Sequence, residues 1–245
     1  MYNQVDSLNL PGGTQLVKRA FAGDIVWLSV LLIITAFLVV PQTQQVFIQL
    51  TNRYPYGMGF IKFAILATMG ECFALRLAHQ SWVRPIGMIY KIIVWGLIGV
   101  LITFMFSFYS AGISALANQG IIPQWNGFSY TIFTAFLTSA IMNLTFGIVF
   151  MAMHRMSDTY IEMRVNNKKP SLIKLIKTID WGAFISFVVI KTIPMFWIPV
   201  HTITFALPAY YRVVVAAYLS IILGVILAYS SKKPKPKVES NTIID

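Results

Sequence analysis

Residues 86–112 read IGMIYKIIVWGLIGVLITFMFSFYSAG and carry a single charge, Lys91, close to their start. At 1.5 Å per residue a helix of this length covers about 40 Å, more than the ~30 Å of hydrocarbon in a bilayer. Five further runs, 22–40, 58–78, 128–153, 181–198 and 209–229, are apolar enough and long enough to do the same. The expected fold is therefore all-α, a polytopic membrane protein built as a compact bundle of six transmembrane helices. Composition agrees: the 245 residues are 57% hydrophobic and 11% charged, with a mean hydropathy of +0.71, whereas soluble domains carry about 25% charged residues. Asp24 suits the start of the first run and Pro41 its end. VVPQTQQ follows instead of a small-residue cleavage site, so the run reads as a retained helix and not a signal peptide.

Lysine and arginine placement orients the bundle, because short cytoplasmic loops carry the positive excess. With the N-terminus inside, the inner segments hold Lys18 and Arg19, then Arg76, Arg84 and Lys91, then Arg155, Arg164, Lys168, Lys169, Lys174 and Lys177, then Lys232, Lys233, Lys235 and Lys237. The outer segments hold only Arg53, Lys62 and Arg212. Six spans with both termini cytoplasmic follow, with a cytoplasmic segment at 1–21 and a basic tail at 231–245. The tail, SSKKPKPKVESNTIID from residue 230, is polar and broken by prolines, a composition expected to stay disordered with its lysines against anionic headgroups. The net charge of +11 is thus assigned to topology and to the lipid bilayer, not to nucleic acid.

Small residues mark how the helices pack. Ala135, Ser139, Asn143 and Gly147 recur every four residues in the fourth run, and Ala216, Ser220, Gly224 and Ala228 in the sixth. At that spacing they form one stripe per helix, where backbones approach closely. Gly96 and Gly99 permit another close contact in the third run. These stripes are expected to be buried seams, with Asn143 as an interhelical hydrogen-bonding residue; association with a second copy through a seam, a homo-oligomer, stays open.

Charges inside the spans are the sharper signal, since an ionised side chain at mid-bilayer costs roughly 3 kcal/mol and tends to face a partner or a water-filled cavity. Glu71 lies in the second run and Lys191 in the fifth, at depths of about 10 and 15 Å from the inner ends. The other acids, Asp6, Asp24, Asp158, Glu162, Asp180, Glu239 and Asp245, all fall on the inner side. An intramembrane Glu71–Lys191 pair is the expectation, either a bridge that fixes helix register or the wall of a polar cavity. The single cysteine, Cys72, is read as a packing residue.

No enzyme is expected. The chain has no H-E-x-x-H, P-loop or G-x-S-x-G motif, and His79, His154 and His201 lie in three separate junctions, away from metal-ligand spacing. No catalytic residue, cofactor or metal is assigned. Span serines and threonines are expected to bond a carbonyl one turn back.

FWIPVHTITFALPAYYRV, residues 196–213, joins the last two runs. Pro199 is expected to end the fifth span and Pro208 to open the sixth, leaving VHTITFAL as an irregular outer turn. Such a turn is oddly apolar, and non-helical backbone at membrane depth is tolerated only in protein or around a cavity. Arg212 has no outer acid beside it and sits near a helix start, where the macrodipole disfavours a cation. Trp197, His201, Thr204 and Arg212 are therefore the candidate outer mouth.

The stretch also resembles the C-terminal signature of the Mpv/PMP family of small peroxisomal and mitochondrial inner-membrane proteins, which has bacterial relatives. Trp197, Pro199, Phe205, Pro208, Tyr211 and Arg212 match its order, and Gly70-Glu71 is similar to a Gly-Asp pair in its first helix. His201 and Thr204 stand about where the family has Gln and Asn, and the first span is an addition. The resemblance implies a helical membrane protein concerned with solute traffic and without an established catalytic activity. Because the chain begins with no Arg-rich, acid-free leader, a bacterial cytoplasmic membrane is the expected location, or a mitochondrial or peroxisomal one if the source is eukaryotic. Two functions fit: a small channel or transporter, in which Glu71, Lys191 and the outer cations Arg53, Lys62 and Arg212 shape a route for a small anionic solute, or a non-transporting bundle that organises lipids or partner membrane proteins.

Overall fold

The computed structural model describes residues 13–231, with side chains from 21 to 226; the N-terminal segment before residue 13 and the basic tail beyond 231 lie outside the described residues. The chain is all-α there, and six of its helices are long and apolar enough to cross a membrane. Helix α1 (Gly13–Val39) is followed by a short outer helix α2 (Pro41–Arg53), then α3 (Pro55–His79) and α4 (Met88–Asn118). Helix α5 (Phe128–Val165) precedes a short inner helix α6 (Leu172–Thr178), then α7 (Trp181–Ala206) and α8 (Ala209–Ser231). The side that bears the basic loops is called inner below.

Helix α3 is the centre, flanked by α4 and α8. Gly59 meets Gly99 where α3 crosses α4: a Cβ on Gly59 would fall 2.7 Å from the Gly99 carbonyl oxygen. Gly70 does the same for α8, where a Cβ would lie 3.1 Å from the backbone nitrogen of Ile221. Both contacts bring main chain against main chain, and only a residue without a side chain fits them. Between them Phe63, Leu66, Ala67, Ile102, Val214 and Ala217 close the core.

Helix α1 lies on the outside of this trio. Trp27, Leu31, Ile34 and Leu38 form its inward stripe, Trp27 donates to the Met69 carbonyl at 3.1 Å, and Thr35 bonds the Tyr218 hydroxyl at 2.8 Å. At the inner end Arg76 forms a two-pronged pair with Asp24, 2.9 Å for each contact. Helix α2, not foreseen in the sequence, lies across the outer ends of α3 and α8. Its Gln44, Phe47 and Thr51 share one face and meet Tyr211 and Lys62.

Helices α5 and α7 form a second unit. The Ser139 hydroxyl donates to the Ile198 carbonyl at 2.7 Å, and Ala135, Ser139, Asn143 and Gly147 are all buried. On α8, Ala216 is buried and Ser220 and Gly224 are half-buried; Ala228 lies beyond the described side chains. The back-bonding hydroxyls are as expected, with Thr103, Thr138 and Thr204 each donating to the carbonyl four residues earlier.

The outer junction differs from its sequence reading. Pro199 does not end the fifth span, and VHTITFAL is not irregular: α7 continues as regular helix through Ile198–Ala206, and only Leu207, with extended backbone, and Pro208 form the turn. Pro199 falls in the first turn of the α-helical segment, where its missing N–H costs little. Upstream, residues Phe184–Trp197 are π-helical, with Pro194 inside them, and Thr192 shows the π register by donating to the Phe187 carbonyl five residues back at 3.0 Å. The apolar character of the segment follows, because it is still membrane helix.

Gly99→Ala should lower the unfolding free energy in detergent by about 1–3 kcal/mol, since the added methyl must push two backbones apart. Gly112→Ala, on the same helix with open space around it, should be neutral or stabilising by up to about 1 kcal/mol. Thermal unfolding of both variants followed by circular dichroism checks this.

Candidate functional site

Two cavities lie along the boundary between the α3–α4–α8 trio and the α5–α7 pair. The outer one has a volume of about 330 Å³ and is walled by Ser110, Ser114 and Asn118 of α4, Tyr130 and Thr134 of α5, and Arg212 of α8. Arg212 donates through Nε to the Leu207 carbonyl at 2.9 Å and through Nη1 to the Ser110 hydroxyl at 3.0 Å. Its guanidinium stands 5.6 Å from the centre of the Phe205 ring. It belongs to none of the ion pairs among the described residues. A five-donor cation with two bonds to neutral acceptors keeps donors for an anion.

The inner cavity, about 390 Å³, runs between α5 and α7 on one side and α3 and α8 on the other. Its walls are aromatic and aliphatic, with Phe63, Phe146, Phe150, Phe184 and Val188 among them, and its inner rim carries Arg155 and Asp158. Glu71 also lines it.

Glu71 is paired, but with Lys91 of α4 and not with Lys191; Trp95 Nε1 lies 3.4 Å from its other oxygen. The expected Glu71–Lys191 bridge is thus corrected. Lys191 is exposed on the π-helical part of α7 and belongs to none of the ion pairs among the described residues. Depth along the bilayer had made the two plausible partners, but depth says nothing of the direction a side chain takes, and the π segment breaks the 3.6-residue phase that could supply it. Lys91 begins about 5 Å inside α4 and Glu71 about 12 Å inside α3; the flexible lysine stem closes that difference. Beside them His154 packs against Trp95, 4.5 Å between ring centres, with Nε2 3.6 Å from Asp158.

The expected outer mouth is divided between the cavities. Arg212 faces the outer one, Trp197 and His201 the inner one, and Thr204 is fully buried and lines neither. The reason is the helical course of the segment, which places residues four apart about 6 Å apart in depth. Arg53 and Lys62 line neither cavity. Arg53 lies over Tyr54; Lys62, 6% exposed, donates to Thr51 at 2.9 Å with its ammonium 4.5 Å from the Phe47 ring centre. Lys62 is therefore the tether of α2.

A group of rings links the linings of the two cavities. Phe205 lines the outer cavity and His201, one turn inward, the inner one. Phe106 of α4 touches both, at 4.8 Å from Phe205 and 5.5 Å from His201 between ring centres. The Asn143 amide donates to the Ser139 carbonyl at 2.8 Å and lies 3.1 Å from His201 Nδ1. Trp197 stacks on the imidazole at 5.0 Å between ring centres. Compared with protein-family models, with curated proteins and with solved structures, the chain matches none.

Lys91→Met should destabilise the bundle by about 2 kcal/mol, the worth of a hydrogen bond to a charged group, and Lys191→Met should change nothing measurable. The exchange Glu71→Lys with Lys91→Glu should recover most of the loss in thermal unfolding, as a direct pair requires.

Proposed function

We propose that the protein provides a gated route across the membrane for a small anionic solute. The observation that carries this reading is the pair of cavities along one helix boundary, with Phe205 lining the outer one, His201 lining the inner one and Phe106 in ring contact with both. His201 and Phe205 are about one helical turn apart. A solute in the outer cavity meets hydroxyl and amide groups and one cation, Arg212, which has no carboxylate in the described ion pairs. These groups favour an anion over a cation or a neutral solute. The gate rings are held by few polar bonds, so rotation of Phe205 and His201 joins the cavities without breaking helix ends.

The resemblance to the Mpv/PMP family supports the same assignment, and we place the protein as a bacterial relative of it, in the cytoplasmic membrane. The residues that carry the resemblance include Trp197, Phe205 and Arg212, which lie at or beside the gate. We assign no reaction to it. The alternative is a non-transporting bundle that organises lipids or partner membrane proteins through its small-residue seams; Ala135, Ser139, Asn143, Gly147 and Ala216 are buried inside the protein, while Ser220 and Gly224 of the second seam are half-buried.

Purified protein in liposomes should pass small anions such as chloride, acetate or phosphate faster than protein-free liposomes. Arg212→Gln should lower anion flux about tenfold, the low end for a charged hydrogen bond. His201→Ala with Phe205→Ala should raise leak of anions and neutral solutes alike. No flux for the protein over this panel, and none for the double variant, would overturn the reading.

A further inference from the structure

Most of the inner cavity's wall is apolar, with Asn143, His154, His201 and Ser220 as polar exceptions. Phe63, Phe146, Phe150, Phe184 and Val188 offer no hydrogen bonds, and apolar surface of this kind holds water poorly. The lining on α5 extends from Met142 to Asp158, a rise of about 24 Å, so the cavity of about 390 Å³ is an elongated, partly open cleft at membrane depth with its charged rim at the inner face.

The rim decides what the chain must carry. Glu71 is neutralised by Lys91 and Asp158 is faced by His154. Arg155 remains: it lines the cavity, is exposed, and belongs to none of the ion pairs among the described residues. An anionic head at this position meets an uncommitted guanidinium, and its tail enters the cleft between α5 and the π segment of α7.

We infer that the inner cavity is a binding site for a single-chain anionic amphiphile, its carboxylate or phosphate head at Arg155 and its acyl chain between α5 and α7. The site stands independently of the solute route, since binding is read without flux. Each methylene buried in the cleft strengthens binding about fourfold, so affinity rises steeply from octanoate to laurate.

The test uses the full chain in nanodiscs with a laurate analogue bearing a photoreactive diazirine at the chain end, followed by peptide mapping. A twelve-carbon chain anchored at Arg155 ends about nine residues deeper on α5, so label is expected on the peptides that hold Phe146, Gly147 and Ile193. Excess unlabelled laurate or lauroyl lysophosphatidate should remove it at least tenfold, and whichever competes at the lower concentration distinguishes a free fatty acid from a lysophospholipid as the source of the head. Dodecanol, with the same chain and no charge, should compete about tenfold less well. Arg155→Gln, a change at an exposed position that leaves the core intact, should erase the advantage of laurate over dodecanol. Label confined to the lipid-facing surfaces of α1 and α4, or not displaced by laurate, overturns the site. Equal competition by laurate and dodecanol in the unaltered protein overturns the role of the anionic head. Val188→Trp, which fills the wall from a half-buried position, should lower labelling in the cleft at least fivefold; unchanged labelling there also overturns the site.

Discussion

Everything else in the molecule depends on the two places where α3 touches its neighbours backbone to backbone. In lipid no hydrophobic force drives one apolar helix against another, so association rests on close contact and on interhelical hydrogen bonds. Gly59 against Gly99 and Gly70 beside Ile221 provide that contact and fix α4 and α8 on either side of α3. Glu71 is the residue after Gly70, so the same crossing that seats α8 sets the carboxylate on the cavity wall, where Lys91 and Trp95 of α4 reach it. The polar pair is thus positioned by the packing of small residues, and it adds to a register already set.

The α5–α7 pair is joined by a different means. Its ties are hydroxyl and amide bonds, Ser139 to the Ile198 carbonyl and Asn143 to His201, and its backbone departs from the α-helix at Asn143–Gly147 and Phe184–Trp197. A π turn leaves carbonyls and side chains out of the regular spacing, which is why such turns gather near sites. Here both π segments line the inner cavity, through Asn143, Phe146 and Gly147 on α5 and Phe184, Val188 and Ile193 on α7.

The sequence made the six spans legible because each apolar run is long enough to have one meaning in a bilayer, and Asn143 could be read as an interhelical residue from its place among Ala135, Ser139 and Gly147. What it concealed is azimuth. The depth of Glu71 admitted both Lys191 and Lys91, and only the way α3 and α4 face each other selects Lys91. Trp197, His201, Thr204 and Arg212 looked like one mouth because the prolines suggested a loop. Once the segment is helix, the same four residues fall at successive depths and divide between two cavities and the core. Helix α2 was hidden for a related reason: PQTQQVFIQLTNR has too few apolar residues to read as a span, and its buried face, Phe47 and Thr51, is defined by residues far along the chain, Lys62 of α3 and Tyr211 of α8.

The contrast between the two units bears on movement. Separating α3 from α4 or α8 would lose main-chain contacts that no rearrangement of side chains replaces. The boundary between the trio and the α5–α7 pair is joined mainly by rings, Trp95 with His154 and Phe106 with His201 and Phe205, together with bonds such as that from Tyr109 to Thr145. Aromatic contacts of this kind are worth about 0.5–1.5 kcal/mol each, and a ring that turns can regain a similar contact with its next neighbour. The cavities lie along the boundary where rearrangement costs least, and Arg212 stands at its outer end, bound to a carbonyl on its own chain segment and to Ser110 across the gap.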